Sequence, residues 1–403
     1  MQTRLDPRIQ QREYAETVNT ILRKCVHCGF CNATCPTYQL LGDELDGPRG
    51  RIYQMKQFFE GEPANAEMML HLDRCLTCRS CETTCPSGVQ YSHLLEIGRE
   101  AIEEEYQRPW FDRFQRKAIL QFILSGWPFR LSIRLGQLFR GLMPSSLRSS
   151  IPARQPAISR ARGNHERKVL MLAGCVQGAL TPNTNILANN LLDSLGIEVI
   201  EIPPRFCCGS AASHTSAAEL GRKQAKLLID AFWPHIENGA EAIVINATGC
   251  GVSIRDYARL FADDPDYASK AERVSALYCD LVEMVERELE RIPTRNAPMK
   301  RVAVHTPCTM QHGLKLSGRV ERILEHCGYQ ICRIEEAHLC CGSAGTYSML
   351  QKDISTRLRD NKLRALSVDQ PDVIASANIG CQVQLGGNAE VPVVHWIELL
   401  QAD

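Results

Sequence analysis

Short apolar runs alternate with amphipathic segments through the second half of the chain. The run KVLMLAG is followed by NTNILANNLLDSLG, IEVIEIP, AAELGRKQAKLLIDAFWPHIENG and AEAIVINATG. The apolar runs predict buried strands, and the helical spacing of apolar residues in the longer segments predicts helices. This strand–helix–strand–helix–strand order is typical of a parallel sheet covered by helices.

The same series occurs again as RVAVHTP, GRVERILEHCG, YQICRIE, DISTRLRDNKLRAL and DVIASANIG. KVLMLAGC, which ends at Cys175, recurs 133 residues later as RVAVHTPC, which ends at Cys308, and FCCGSAAS recurs as LCCGSAGT at the same offset. Such self-similarity indicates a duplicated unit. We therefore predict two α/β domains with parallel sheets, over residues 168–290 and 300–403.

Cysteines follow the predicted strands in both repeats. The carboxyl ends of parallel strands meet at one edge of a sheet, where the ligands of open α/β proteins collect. We therefore expect four thiols in each repeat to converge as candidate metal ligands. They are Cys175, Cys207, Cys208 and Cys250 in the first repeat and Cys308, Cys340, Cys341 and Cys381 in the second.

The segment that precedes the repeats, residues 108–167, has a different pattern. Residues 108–168 contain 13 Lys and Arg but only two acidic residues. Residues 117–143 predict basic amphipathic helices, for which contact with an anionic membrane surface and packing against a partner subunit are both open. The residues after Met143 predict an exposed linker. The leucines at helical spacing are Leu131, Leu135, Leu138 and Leu142, with Arg130, Arg134 and Arg140 beside them.

The composition narrows the function classes. Lys and Arg number 46, and so do Asp and Glu, so we expect no nucleic-acid partner. The chain starts with no apolar secretory segment, and no apolar run reaches the roughly 18 residues of a membrane span. We therefore expect a cytoplasmic protein, with peripheral contact at the inner membrane left open. In a reducing compartment, 19 cysteines indicate metal binding rather than disulfides.

Two short runs near the N-terminus carry four cysteines each with identical spacing. RKCVHCGFCNATCPTY recurs 50 positions later as DRCLTCRSCETTCPSG. The spacing C-x2-C-x2-C-x3-C-P is typical of [4Fe–4S] ferredoxins, whereas zinc sites usually use two C-x2-C pairs. The two runs therefore predict an α-helical bis-[4Fe–4S] ferredoxin domain over residues 1–107.

The ferredoxin spacing also predicts which cysteines share a cluster. Three cysteines of one run bind one cluster, and the fourth, which precedes proline, binds the other. One cluster is therefore predicted on Cys25, Cys28, Cys31 and Cys85, and the second on Cys75, Cys78, Cys81 and Cys35. Lys24, Arg74 and Arg79 flank these ligands, where they either raise the reduction potentials or are simply solvated. His27 and His71 are interpreted as spacers.

The Cys-Cys-Gly turns at Cys207-Cys208-Gly209 and Cys340-Cys341-Gly342 resemble those of the cysteine-rich CCG domain. Two ferredoxin motifs followed by two such domains are similar to the iron–sulfur subunits of glycolate oxidases. Lactate-utilisation and anaerobic glycerol-3-phosphate dehydrogenase subunits share the pattern. The resemblance implies an α+β/α/β multidomain protein that transfers electrons from a flavoprotein subunit carrying FAD to a membrane quinone.

Both repeats depart from the full CCG pattern, which ends in C-x-x-C. Ser253 and Gln384 stand where the last cysteine belongs. The five-thiolate cluster that the resemblance implies would therefore lack one ligand in each repeat. Four thiols suffice for a cubane cluster or for zinc, so a third cluster, zinc and an empty site are all open, as is a thiol reductase like heterodisulfide reductase.

The motifs that would make this chain a catalyst by itself are missing from its sequence. No G-x-G-x-x-G opens a strand–helix unit, and neither a phosphate-binding loop nor a Ser-His-Asp arrangement is evident. We therefore predict no catalytic residue and no flavin on this chain. Cys279, Cys327 and Cys332 are predicted to be core residues. His214 and Tyr347 follow the two Cys-Cys-Gly turns and are interpreted as packing or cleft-lining residues.

Overall fold

The computed structural model describes residues 1–144, 148, 150–294 and 300–401 of the chain. The N-terminal part is helical, and its amphipathic helices pack around Ile52, Met55 and Leu95. Pro36 and Pro48 stand first in their helices, where the missing N–H is not needed. The helices are α1 (Pro7–Gln10), α2 (Ala15–Lys24), α3 (Pro36–Leu41), α4 (Pro48–Phe59), α5 (Ala66–Asp73), α6 (Ser80–Thr84) and α7 (Tyr91–Glu105), with 3₁₀ turns at Phe30–Thr34 and Glu44–Asp46.

Two helices and a 3₁₀ turn form the predicted basic amphipathic segment. Phe129 and Ile133 of this segment pack on the repeats, which leaves Leu138 and Leu142 70% and 85% exposed. Within the described residues, no helix is both long and apolar enough to cross a membrane. The elements are α8 (Trp110–Leu124), α9 (Trp127–Leu138) and the turn Arg140–Leu142. Residues 145–147 and 149 of the predicted linker lie outside the described residues.

The first repeat is a parallel four-stranded sheet with strand order β2-β1-β3-β4. Its strands are β1 (Arg167–Leu172), β2 (Ile197–Ile202), β3 (Ala242–Ile245) and β4 (Tyr278–Asp280). Its helices are α10 (Gln177–Leu180), α11 (Pro182–Ser194), α12 (Ser210–Ser213), α13 (Ala218–Glu237), α14 (Thr248–Arg255), α15 (Tyr257–Leu260), α16 (Ala268–Leu277) and α17 (Leu281–Arg287), followed by a 3₁₀ turn at Leu289–Arg291.

The second repeat is also a parallel four-stranded sheet, with strand order β6-β5-β7-β8. Its strands are β5 (Arg301–His305), β6 (Gln330–Ile331), β7 (Val373–Ser376) and β8 (Val393–His395). Its helices are the π-helical turn Thr309–Leu314, α18 (Arg319–His326), α19 (Tyr347–Leu350), α20 (Lys352–Leu366) and α21 (Ile379–Gly386), with a final 3₁₀ turn at Trp396–Leu400.

This architecture confirms the predicted fold class: a helical domain followed by two duplicated α/β domains with parallel sheets. The apolar runs predict three strands in each repeat, and each sheet has a fourth, β4 or β8. Each of these two strands has only three residues, which is too short to show a periodic pattern. Both lie at a sheet edge, where pairing with the neighbouring strand defines them.

The carboxyl edges of the two sheets lie against each other. The Thr248 N–H, just after β3, donates to the Ala377 carbonyl just after β7, at 3.3 Å. The Thr248 hydroxyl lies 2.7 Å from the Thr309 hydroxyl, which follows β5. A single apolar core runs through both repeats. The two sets of strand-end cysteines therefore share one region of the molecule.

The helical domain docks onto both repeats at this same region. Leu76 packs with Tyr347, Ile354 and Leu358 of the second repeat. Ion pairs connect the domain with the first repeat, at 2.6 Å for Arg79–Asp256, 2.9 Å for Arg259–Glu96 and 2.7 Å for Arg222–Glu100. The second cysteine run therefore lies between the helical domain and the repeats.

Candidate metal centres

The first predicted set of N-terminal thiols lines one pocket. Cys25, Cys28, Cys31 and Cys85 border it, although Cys85 lies in the other run of the sequence. Cys81 also borders this pocket, so the two sets adjoin. Burial and the neighbouring Cys25 and Cys28 thiols raise the pKa of Cys31 to about 11. If these groups ionised, the thiolates would repel one another. A bound metal cluster neutralises this negative charge.

The second predicted set of thiols lies deeper, against the repeats. Burial and then the Cys308 thiol of the second repeat raise the pKa of Cys78 well above its usual value. The Cys35 and Cys75 thiols also raise the pKa of Cys78. The structure therefore brings Cys35 of the first run next to the second run, and both donor sets fit a four-thiolate cluster.

Each repeat gathers its four predicted thiols around a Cys-Cys-Gly turn. Gly209 and Gly342 both have φ near +84°, and a Cβ on Gly209 would lie 2.5 Å from the Gly221 carbonyl oxygen. Only glycine tolerates this left-handed turn against a neighbouring backbone. The turn brings Cys207 Sγ within 4.0 Å of Cys175 Sγ.

The second repeat has the same arrangement of thiols. Cys340 Sγ lies 3.8 Å from Cys308 Sγ, and the Gly342 N–H donates to Cys340 Sγ at 3.4 Å. Cys341 and Cys381 continue the row, because their Sγ atoms lie within 4.8 Å of each other. The eight repeat cysteines form two clusters of thiols, each sized for a metal centre.

The positions of the missing fifth cysteines are occupied by hydrogen-bonded side chains. Ser253 Oγ donates to the Gly249 carbonyl at 3.4 Å. Gln384 Nε2 donates to Ser355 Oγ at 2.8 Å and to the Ser355 carbonyl at 3.3 Å. Both side chains are held by backbone or side-chain oxygens near the turns rather than by a thiol.

A cavity of about 1780 Å³ joins these sites. All eight repeat cysteines line it, together with Cys78 of the second N-terminal set. Phe129 and Ile133 of α9 form part of its apolar wall. The thiol sets therefore form a connected series from the helical domain into the repeats.

Arg51 is a buried residue of the site that motif spacing does not identify. It is 1% exposed, and its guanidinium donates to the His71 carbonyl at 2.7 Å and to Thr37 Oγ1 at 3.1 Å. Thr37 Oγ1 in turn lies 3.3 Å from Cys35 Sγ. Asp46 is the counter-ion of Arg51, at 3.4 Å.

The sequence did contain a signal for Arg51. On α4 it occupies the same face as the buried Ile52, Met55, Phe58 and Phe59, so a cation stands in an apolar stripe. A charged residue at such a position is buried only when it has partners. That signal is independent of the cysteine motifs.

Arg74 and His71, which flank the second cysteine run, share Asp46 as a partner. Arg74 donates to Asp46 Oδ2 at 2.8 Å, and His71 Nδ1 lies 2.9 Å from Asp46 Oδ1. Tyr347 is a packing residue, whose hydroxyl donates to the Arg74 carbonyl at 3.0 Å. His214 lines the large cavity.

The three cysteines outside the motifs lie in the apolar cores, as predicted. Cys279 and Cys327 are buried in the core that both repeats share, and Cys332 is buried in the second repeat. Cys332 shares its cluster with the candidate ligands Cys341 and Cys381.

Fold and site together define a dicluster iron–sulfur protein with a duplicated cysteine-rich domain. Residues 21–89 match the family described as "4Fe-4S dicluster domain", and residues 169–255 and 302–386 match the family described as "Cysteine-rich domain". The glycolate oxidase iron–sulfur subunit of Escherichia coli (strain K12) is 47% identical over 403 residues, which is 100% of this chain and 98% of the relative. The chain belongs to the family of glycolate oxidase iron–sulfur subunits.

More distant relatives include a second glycolate oxidase subunit and a lactate-utilisation protein. The probable glycolate oxidase iron–sulfur subunit of Bacillus subtilis (strain 168) is 28% identical, covering 97% of this chain and 96% of the relative. Lactate utilization protein A of Bacillus velezensis is also 28% identical, but over 58% of this chain and 99% of its own length. Among solved structures, an aspartate racemase homologue from Pyrococcus horikoshii OT3 covers 58% of this chain and 95% of its own at 12% identity, and its TM-score of 0.24 is too low to show a shared fold.

The crossed assignment of ligands makes a prediction about pairs of cysteines. Cys28→Ala/Cys85→Ala should remove one cluster, about four iron atoms per chain, because both thiols line one pocket. Cys28→Ala/Cys35→Ala should remove both N-terminal clusters, about eight iron atoms, because the two thiols lie in different sets. The measurement is the iron content of anaerobically purified full-length protein, relative to wild type.

Cys279→Ala is the matched control, since Cys279 is buried outside the motifs, and its iron content should equal that of wild type. If each run held its own cluster with its own four cysteines, the two double variants would exchange their results. That exchange would refute the crossed assignment.

The buried Arg51–Asp46 pair predicts opposite shifts in reduction potential. Arg51→Met removes a cation next to the second thiol set and should lower the potential of one cubane cluster. Asp46→Asn removes an anion and should raise the potential of the same cluster. Each shift should be on the order of 60 mV, about 1.4 kcal/mol for a one-electron couple. The measurement is a redox titration followed by electron paramagnetic resonance.

Because the two changes differ in sign, a general loosening of the fold would not reproduce both. The double variant should lie close to wild type. Shifts of equal sign, or a shift of both cubane clusters, would show that Arg51 and Asp46 do not tune this site electrostatically.

Proposed function

We propose that this chain is the electron-transfer subunit of a flavin-dependent glycolate oxidase complex. Glycolate is oxidised to glyoxylate at FAD on a partner subunit, and a membrane quinone accepts the electrons. The observation that carries the proposal is the series of adjoining thiol sets, from the pocket of Cys25 through Cys78 into the cavity of the repeats. The high similarity to the Escherichia coli subunit over its full length supports glycolate as the substrate of the complex.

The proposed ligands are the two crossed sets of N-terminal thiols, and the repeat thiols bind a further cluster or zinc. When bound, the clusters supply one-electron carriers. The residues of this chain hold the thiols at fixed positions and bury several of them, such as Cys25, Cys35 and Cys81. They also provide compensating charge, as Arg51 does beside the second set. No residue of the proposed site acts on glycolate itself.

The surface near the first thiol set is suited to receive electrons from a partner. Cys28 is exposed, and the neighbouring Val26 and Phe30 are 65% and 61% exposed. Exposed apolar side chains around a redox site are typical of a protein docking surface. We assign this face to the flavoprotein, because the second thiol set is covered by the repeats.

The opposite end of the series lies near the basic helices. Trp127, Leu138 and Leu142 are 70%, 70% and 85% exposed, and Arg134 on the same helix is exposed as well. Exposed apolar residues beside cations suit the interface of an anionic membrane. We assign this face to peripheral contact with the cytoplasmic side of the inner membrane, where the quinone is found.

Lactate is the alternative substrate of the complex. The lactate-utilisation relatives match only 58% of this chain, whereas the glycolate oxidase relative matches all of it. This difference in coverage favours glycolate.

The proposal predicts that glycolate oxidation requires the complete complex. Purified with its partner subunits, the chain should support glycolate-dependent reduction of a soluble quinone analogue, with lactate a poorer substrate. The chain alone should have no such activity, since we expect the flavin on a partner subunit. Glycolate oxidation by the isolated chain would contradict the proposal, and preference of the complex for lactate would reassign its substrate.

The membrane assignment predicts binding to lipid vesicles. Wild-type protein should co-sediment with vesicles that contain anionic phosphatidylglycerol, and Leu138→Ser/Leu142→Ser should weaken this binding about ten-fold or more, since each lost apolar side chain is worth about 1.5–3 kcal/mol when fully buried. Leu227→Ser is the matched control, because Leu227 is a helical leucine 50% exposed on the first repeat. Absence of vesicle binding by wild type would refute the assignment and leave docking to a partner subunit.

A further inference from the structure

The two repeats differ at one buried position beside their thiols. His305 is the last residue of β5, and at the 133-residue offset the first repeat has Leu172 at the end of β1. Leu172 belongs to the apolar core of its repeat. His305 is just as deeply buried, at 1% exposure. A polar ring therefore replaces an apolar side chain at an otherwise equivalent position.

The imidazole of His305 has no hydrogen-bond partner among the described residues, at either Nδ1 or Nε2. A neutral imidazole has one donor and one acceptor nitrogen. Leaving both unpaired inside a protein is unfavourable, because each loses its hydrogen bonds to water. An unpaired buried imidazole indicates that a further group belongs at this position.

Two predicted metal ligands lie close to the ring. One ring nitrogen of His305 and the Sγ atoms of Cys341 and Cys381 lie within 4.8 Å of one another. Metal–nitrogen bonds of about 2.0–2.1 Å and metal–sulfur bonds of about 2.3 Å can bridge atoms at such separations. A neutral imidazole nitrogen is a common metal ligand in proteins.

We propose that His305 is a metal ligand in the second repeat, together with Cys341 and Cys381. Cys340 and Cys308 extend the row of donors on the far side. The second repeat therefore offers an imidazole and four thiols, whereas the first repeat offers thiols only. This inference deepens the proposed metal binding by the repeats and does not depend on the substrate of the complex.

A second buried group distinguishes this site from its counterpart. Lys362 on α20 is 3% exposed, and its ammonium group donates to the Glu336 and Ala337 carbonyls, both at 3.0 Å. Among the thiols, Cys341 has the strongest electrostatic interaction with the Lys362 ammonium group. A buried cation beside thiols suits a site that carries net negative charge, as a metal bound by several thiolates does. The corresponding helix α13 buries Gly221, Ala225, Leu228, Ile229, Phe232 and Ile236.

Two metal centres accept mixed nitrogen and sulfur ligation. Zinc binds histidine together with cysteine in tetrahedral sites, and some iron–sulfur clusters have histidine in place of cysteine. Both require the same contact, a bond from a His305 ring nitrogen to the metal. The experiment distinguishes them by the element that is lost.

The test compares His305→Leu and His305→Cys with wild type in the full-length, anaerobically purified protein. His305→Leu reproduces the residue of the first repeat and should weaken metal binding in the second repeat about ten-fold or more, since even an outer-shell partner contributes about 10–100-fold. His305→Cys should restore the metal, because a thiolate can replace the imidazole, but with a changed spectrum. His326→Leu is the control, since this half-buried histidine of the same repeat bonds to the Ile292 carbonyl and should leave the metal content unchanged.

The direct readout is the bond to nitrogen. In protein labelled with ¹⁵N-histidine, an iron centre should show a nitrogen coupling in pulsed electron paramagnetic resonance that His305→Leu abolishes. A zinc centre should show one nitrogen neighbour in X-ray absorption that becomes sulfur in His305→Cys. Full metal content and an unchanged spectrum in a folded His305→Leu protein would overturn the proposal.

Cys341→Ala separates failure of this inference from failure of the proposed function. If neither Cys341→Ala nor His305→Leu changes the metal content or the spectrum, His305 is not a ligand. The iron of the N-terminal thiol sets, and electron transfer through the complex, would then be unaffected.

Discussion

Crowding of thiols shapes the interior of this protein. Four sets of four cysteines converge, two in the helical domain and one in each repeat, and the members raise one another's pKa, as they do around Cys31 and Cys78. Such groups can ionise together only when cations neutralise them, so metal binding and folding of these regions are linked. The docking of the domains brings the sets together, because Cys78 of the second N-terminal set and Cys308 of the second repeat pack on one cluster.

The protein around the thiols provides charge and rigidity. Arg51 lies beside the second set and is itself held by Asp46 and backbone oxygens, so its position does not depend on solvent. The ion pair Arg79–Asp256 ties the loop that carries Cys78 to the first repeat. A redox relay requires fixed separations between its centres. These ion pairs and hydrogen bonds restrain the segments that carry the thiols.

The two repeats share the Cys-Cys-Gly turn and differ in the side chains beside it. The Cys-Cys-Gly turn is the same in both repeats, because Gly209 and Gly342 have the same left-handed conformation. The side chains beneath the turn differ, with His305 and Lys362 in the second repeat and apolar residues in the first. Backbone geometry sets the positions of the thiols. Neighbouring side chains set the remaining ligands and the local charge, so one fold can hold two different metal centres.

The helical domain, the duplicated parallel sheets and the candidate ligands could all be predicted from the sequence, because cysteine spacing and apolar periodicity are local properties of the chain. The sequence could not define β4 and β8, whose three residues each become strands only through pairing at a sheet edge. Folding brings Arg51 to Thr37, which contacts Cys35, and places His305 beside Cys341 and Cys381. These residues belong to no motif, and their roles arise from contacts between segments far apart in the chain, which the pattern of any one segment does not contain.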